Sequence, residues 1–225
     1  MTRWLFLSIA VTVLAFAGSG YVYLFHYDRL PDPMPTHWNV EGEPDQWTPR
    51  ALGFRLNFLL VPAVMAGMVL LTPALPWLSP KSFDLDRFRT TYEYIMFLVV
   101  ALFGVIHLAI AVTLLDPEQS RNRLFVGGFM LFFALIGNVM GQVRRNFYVG
   151  VRTPWTLASE TVWNQTHRLS AWLFVAFGVL GFFVVMLVPG TEVMIGCFVT
   201  LLVVALIPVA YSLILYKRLE KLGKL

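Results

Sequence analysis

Few residues in this chain could do acid–base or metal chemistry: it has 4 His and 13 Asp plus Glu in 225 residues. His37 lies between Asp32 and Asp45, with His26 upstream. An imidazole among carboxylates could ligate a divalent metal. The spacing matches no zinc pattern, however, such as two histidines four apart on a helix with a third ligand. A His37 that hydrogen-bonds within its loop and pins it is expected instead. No metal or other cofactor is called for, and a membrane metalloenzyme built on His37 is the weakest reading. His107 and Asn138 lie in apolar runs, nearest the middle of their segments. Such groups face a bundle interior, where they bond between helices or mark a pathway. Neither has an acidic partner in its run, so interhelical bonding is expected, with a small transporter or exporter as the alternative. Glu93 is placed near one end of its run, within reach of the interface. Cys197, the single cysteine, rules out an internal disulfide and a thiolate metal cluster. No nucleophile–base pair, paired buried carboxylates or glycine-rich phosphate loop is visible, so the chain is not expected to be an enzyme.

The elements that must position these residues are membrane spans. The sequence is 58% hydrophobic and only 13% charged, with a mean hydropathy of +0.70; soluble domains carry about 25% charged residues. That is too little charge to cover a soluble surface. Six runs are long enough to cross a bilayer core, which takes about 20 apolar residues: Trp4–Phe25, Leu56–Leu75, Tyr92–Leu115, Leu124–Val143, Leu169–Val188 and Val193–Tyr216. The first imitates a secretory signal but runs on through Tyr21–Phe25, so a retained helix is expected. The fold class is therefore all-α, a polytopic bundle of about six transmembrane helices. Placing both termini in the cytoplasm leaves Arg29, Arg50, Arg55, Arg121 and Arg123 outside and the other twelve of 17 Lys and Arg inside, the arrangement the positive-inside rule favours. The net charge of +4 is thus a topology signal, and direct nucleic-acid binding is not expected.

Two connections are longer than packing requires, 26–54 outside and 144–167 inside, and long ordered loops usually have a function. They divide the chain into an N-terminal helix pair with its outer loop (1–80) and a four-helix region with its inner loop (81–225). In the outer loop, alternating prolines 31, 33 and 35 predict an extended, polyproline-like path, with a turn near Gly42 and Pro44. Trp38 and Trp47 could seat it at the headgroup level. In the inner loop, Pro154 extends Thr153, and Ser159 with Glu160 opens a helix that runs into the fifth span. On that helix Trp163 and His167 share a face. Arg144, Arg145, Arg152 and Arg168 could meet anionic headgroups, or the loop could dock a partner. Gly137 and Gly141, four apart beside Asn138, predict a close helix crossing. Pro62, Pro73 and Pro208 predict kinks.

The two long loops also carry a resemblance. The run Arg145-Asn146-Phe147-Tyr148-Val149-Gly150-Val151-Arg152-Thr153-Pro154-Trp155-Thr156-Leu157, with Ser159-Glu160, Trp163 and Thr166-His167-Arg168, resembles the signature of the SdpI family. The outer segment from Leu30-Pro31 through Pro35-Thr36-His37 to Gly42 and Pro44-Asp45 resembles an extracytoplasmic module that often accompanies it. The resemblance implies a multi-pass protein of the bacterial plasma membrane that protects against a secreted peptide toxin and, as in the family's namesake, recruits a cytoplasmic transcriptional repressor. Carried onto this chain, Pro35, His37, Trp38, Gly42 and Asp45 would face the toxin. Arg145, Asn146, Gly150, Arg152, Pro154, Trp155, Trp163 and His167 would face the partner. Oligomeric state is left open.

Overall fold

The computed structural model describes residues 2–39, 43–116 and 122–225. Among the described residues eight α-helices are seen: α1 Arg3–His26, α2 Arg50–Phe54, α3 Leu60–Leu78, α4 Arg89–Leu115, α5 Asn122–Met140, α6 Pro154–Ala158, α7 Glu160–Leu187 and α8 Thr191–Lys221. A π-helical turn, Arg55–Leu59, joins α2 to α3. Six helical segments are long and apolar enough to cross a membrane. Large apolar side chains such as Leu24, Leu70, Trp77, Trp172 and Leu187 point outward and are exposed, a surface that water would not tolerate but lipid does. The fold is a six-span helical bundle.

Span ends shift where local chemistry dictates. α5 stops at Met140, three residues short of the predicted end, because the chain turns at Gly141-Gln142. α7 begins at Glu160, with the Ser159 side chain accepting from Val162 N at 3.5 Å, as the capping pattern predicts.

The helices form two clusters joined through α4. α1, α3 and α4 pack together, and α5, α7 and α8 pack together. On α1 the buried face is Ser8, Thr12, Ala15, Ser19 and Val22, largely hydroxylic, while leucines and aromatics face outward. Ser8 and Thr12 each donate to a carbonyl four residues back, at 3.0 and 2.8 Å. Small residues let α1 come close, which matters where lipid removes any hydrophobic drive between helices. Between α5 and α7 the close approach is made by Gly137, whose absent Cβ would meet Phe174 and the backbone of Ala171 and Val175, and by Gly178, which faces the backbone of Met130 and Ala134. Gly141 takes no part in it. It lies beyond α5 in open space, so the predicted Gly137–Gly141 pair is replaced by Gly137 and Gly178 across the crossing.

Two α3 prolines do more than bend their helix. Proline has no N–H to give the carbonyl four residues back. Pro62 therefore leaves Phe58 C=O free, and Ser19 Oγ of α1 donates to it at 2.6 Å. Pro76 leaves Thr72 C=O free, and Tyr92 Oη of α4 donates to it at 2.9 Å. Each lost intrahelical bond is replaced by an interhelical one.

The 26–54 connection is extended, as its prolines predict, but as paired strands and not a polyproline-like path. Met34–Trp38 (β1) and Pro44–Thr48 (β2) form an antiparallel hairpin, paired from Met34–Thr48 to Trp38–Pro44 with irregularities at Thr36 and Asp45. A two-stranded sheet has only edges, so each proline can turn its donor-less nitrogen away from the ladder.

Candidate functional site

The hairpin and the 141–159 segment follow odd- and even-numbered spans respectively, so they lie on opposite faces of the bundle.

On the hairpin face, Leu30 and Met34 are buried against Val22, Phe54, Phe58 and Leu114. Asn57, held in the π turn, donates from Nδ2 to Pro35 C=O and to Gly53 C=O, both at 3.0 Å. A residue with a side chain at Gly53 would collide with Met34. Arg50 closes the base: its backbone N–H bonds Asp32 at 3.1 Å, and its guanidinium lies 3.8 Å from Asp28 and 3.9 Å from Asp32. The outer part is different. His37 Nδ1 and Asp45 Oδ1 meet at 2.6 Å across the strands, both exposed. The expected pinning histidine is therefore present, and Asp45 is its partner. Trp38 is half-buried and Trp47 exposed. Pro35 is buried, so among the residues predicted to face a toxin it presents nothing. Gly42 lies outside the described residues. Among the described residues no three His, Cys, Asp or Glu side chains converge on one point. Beside the hairpin, a groove of about 450 Å³ opens between α1 and the π turn, walled by Phe16, Tyr23, Tyr27 and Phe54, with Arg55 at its edge.

Beneath this face, His107 is buried and its Nε2 lies 3.2 Å from Ser19 Oγ, which has already given its proton to Phe58. This is an interhelical bond, as the sequence suggests for His107. Asn138 behaves otherwise. It is exposed, two residues from the end of α5 and on the far half of the bundle. His107 and Asn138 therefore make no common pathway. Glu93 is buried as well, not reaching out to the interface: Arg89 Nε reaches in to it at 3.1 Å.

On the opposite face the loop is a knot of buried polar side chains. Asn146, fully buried, uses its whole amide. Oδ1 accepts from Tyr148 N at 2.7 Å and Val149 N at 2.8 Å; Nδ2 donates to Arg144 C=O at 2.7 Å and Val149 C=O at 3.0 Å. Trp163 Nε1 donates to Val143 C=O at 2.8 Å, and its ring stacks on His167 at 4.1 Å. His167 Nε2 accepts from Val151 N at 3.0 Å, which leaves the ring proton on Nδ1, donating to Trp163 C=O at 2.8 Å. Gly150, at φ +105°, passes directly over that ring; a Cβ there would strike His167 Nε2. Only glycine satisfies both the backbone angle and the contact. Thr153 and Thr156 cap α6 reciprocally, and Thr153 Oγ1 meets Ser212 Oγ of α8 at 3.0 Å.

The predicted partner-facing residues thus separate into two sets. Asn146, Trp163 and His167 are buried and saturated, and they build the loop. Gly150 sits over the His167 ring. Arg152 and Pro154 are exposed and Trp155 half-buried; Arg152 is held by the Phe147 carbonyl. Arg145 donates to Leu157 C=O at 3.0 Å and lies 5.5 Å from the Phe83 ring centre. Thr153, Thr156 and Ser212 were missed as loop-holding residues. The Thr-Pro-x-Thr spacing of a reciprocal cap was the available signal for the first two; nothing local marks Ser212.

Residues 142–212 match the SdpI/YfhL protein family, and the match begins where this knot begins. That stretch of the chain is similar to the SdpI family. Residues 6–66, which carry α1, the hairpin and the π turn, match a domain of unknown function (DUF1648). The chain is 26% identical over 219 residues to the immunity protein SdpI of Bacillus subtilis (strain 168), covering 95% of this chain and 96% of that protein. No solved structure matches it. With six apolar spans and this relative, it is a multi-pass bacterial membrane protein.

Proposed function

We propose that this protein confers immunity to a secreted peptide toxin, which it meets on the hairpin face. The observation that carries this reading is the likeness to an immunity protein along nearly the whole of both chains. Three features of the hairpin face support it. The exposed His37–Asp45 pair offers a polar contact. Trp38 and Trp47 sit beside it. The aromatic groove between α1 and the π turn gives a membrane-active peptide an apolar bed with a cation, Arg55, at its edge. On this reading the hairpin face is extracytoplasmic and both termini are cytoplasmic, the orientation the positive-inside rule favours. The exposed Arg152 and Pro154, with the half-buried Trp155, would then offer a cytoplasmic repressor its docking surface. Coupling the two faces requires conformations that differ in affinity for the toxin.

Survival tests this directly. A sensitive bacterium expressing the chain is challenged with secreted peptide toxins of the sporulation-delaying type. Immunity predicts survival that falls with His37→Ala and with Phe54→Ala at unchanged membrane abundance. Killing that proceeds as in cells without the protein, despite normal insertion, removes the reading.

A further inference from the structure

On the face opposite the hairpin, a polar recess of about 190 Å³ is lined by Arg87, Arg144, Arg145 and Glu160. Its three guanidiniums come from two separately fixed segments. Arg87 belongs to the 3-10 turn Leu85–Phe88, anchored by buried Leu85 and Phe88. Arg144 and Arg145 enter the loop that Asn146 ties, and Arg145 is further held by Leu157 C=O. Like charges brought together in this way repel unless an anion lies between them. The nearby acids do not supply it. Asp86 pairs with Arg89, Asp84 accepts from the Asp86 backbone, and Glu160 alone leaves the recess two charges positive. Arg87 and Arg144 have no side-chain partner among the described residues.

The depth of the recess is set by the chain. It lies where three spans end: the start of Leu85–Leu115, the end of Arg123–Met140 and the start of Glu160–Leu187. That is the headgroup level of the adjoining leaflet. Planar guanidiniums bind phosphate oxygens in pairs of charge-assisted bonds. We propose that this recess binds one phosphate group, presented by an anionic phospholipid.

The full-length protein in detergent would be titrated with phosphatidylglycerol, with phosphatidylcholine and with inorganic phosphate. Bound equivalents would be read by native mass spectrometry and melting by size exclusion. One phosphatidylglycerol should be retained in preference to phosphatidylcholine. Arg87→Gln with Arg144→Gln should weaken it about tenfold, as loss of charged hydrogen bonds predicts. Glu160→Gln, which removes no phosphate donor, should strengthen it. An equal loss in the distant pair Lys221→Gln with Lys224→Gln would mean diffuse attraction and overturn the site. A melting shift reproduced by inorganic phosphate, with no lipid preference, would overturn the lipid as its source.

Discussion

The two faces of this bundle use polar residues in opposite ways. On the hairpin face the charged and hydrogen-bonding groups are displayed: His37 and Asp45 pair in the open, and the strands touch the bundle mainly through Leu30, Met34 and the Asn57 amide. On the other face the uncharged polar groups are turned inward, where Asn146, Trp163, His167 and Thr156 are buried and bond the backbone around them. A long motif therefore need not be a contact surface. The SdpI signature contains the residues that hold a loop in shape, and the residues free to touch anything are the few between them.

Substitutions can break or sharpen that contrast. The largest effect is expected from Asn146→Asp, which puts a carboxylate oxygen against two carbonyls and loses two buried bonds; about 3 kcal/mol or more of stability should go. Thermal melting in detergent, read by size exclusion, measures it, and a melt within a degree or two of the parent would mean the loop is not held by this amide. Gly150→Ala should cost about 2–4 kcal/mol, combining a disfavoured positive φ with the collision at His167; His167→Ala in the same chain should recover part of that, leaving the backbone cost. Trp163→Phe keeps the stack on His167 but removes the bond to Val143 C=O, for about 1–2 kcal/mol. Ser19→Ala strands the Phe58 carbonyl, with about 1 kcal/mol expected, since interhelical bonds in membranes average about 0.6 kcal/mol. The smallest effect on stability belongs to His37→Ala: its pair is exposed, so melting should move by less than about 0.5 kcal/mol while toxin survival falls. A large loss of stability there would make His37 part of the scaffold and erase the difference between the faces.

Much of the architecture was legible because lipid imposes one rule, that each crossing is a helix with an apolar exterior. The spans, the Ser159 cap and the shared face of Trp163 and His167 followed from spacing. What spacing does not encode is direction. Asn146 and Arg152 are both polar loop residues, yet one is buried and the other exposed, because the carbonyls and N–H groups that enclose Asn146 come from a turn that exists only once it has folded. Asn138 misled in the other direction: its place in an apolar run suggested the interior, but it lies on the side of α5 away from the crossing that Gly137 makes with α7. The hairpin was hidden because alternating prolines read as a polyproline-like path, whereas two strands with no third neighbour can carry them.

The two carbonyls released by proline in α3 have an evolutionary consequence. Each hydroxyl that occupies one makes that bond only while the proline four positions downstream of the carbonyl is present. In relatives where position 76 carries an ordinary residue, the helix reclaims Thr72 C=O for itself, and a phenylalanine at position 92 becomes as good as tyrosine. Positions 62 and 19, and positions 76 and 92, should therefore change in concert across related sequences, although neither pair of side chains need touch.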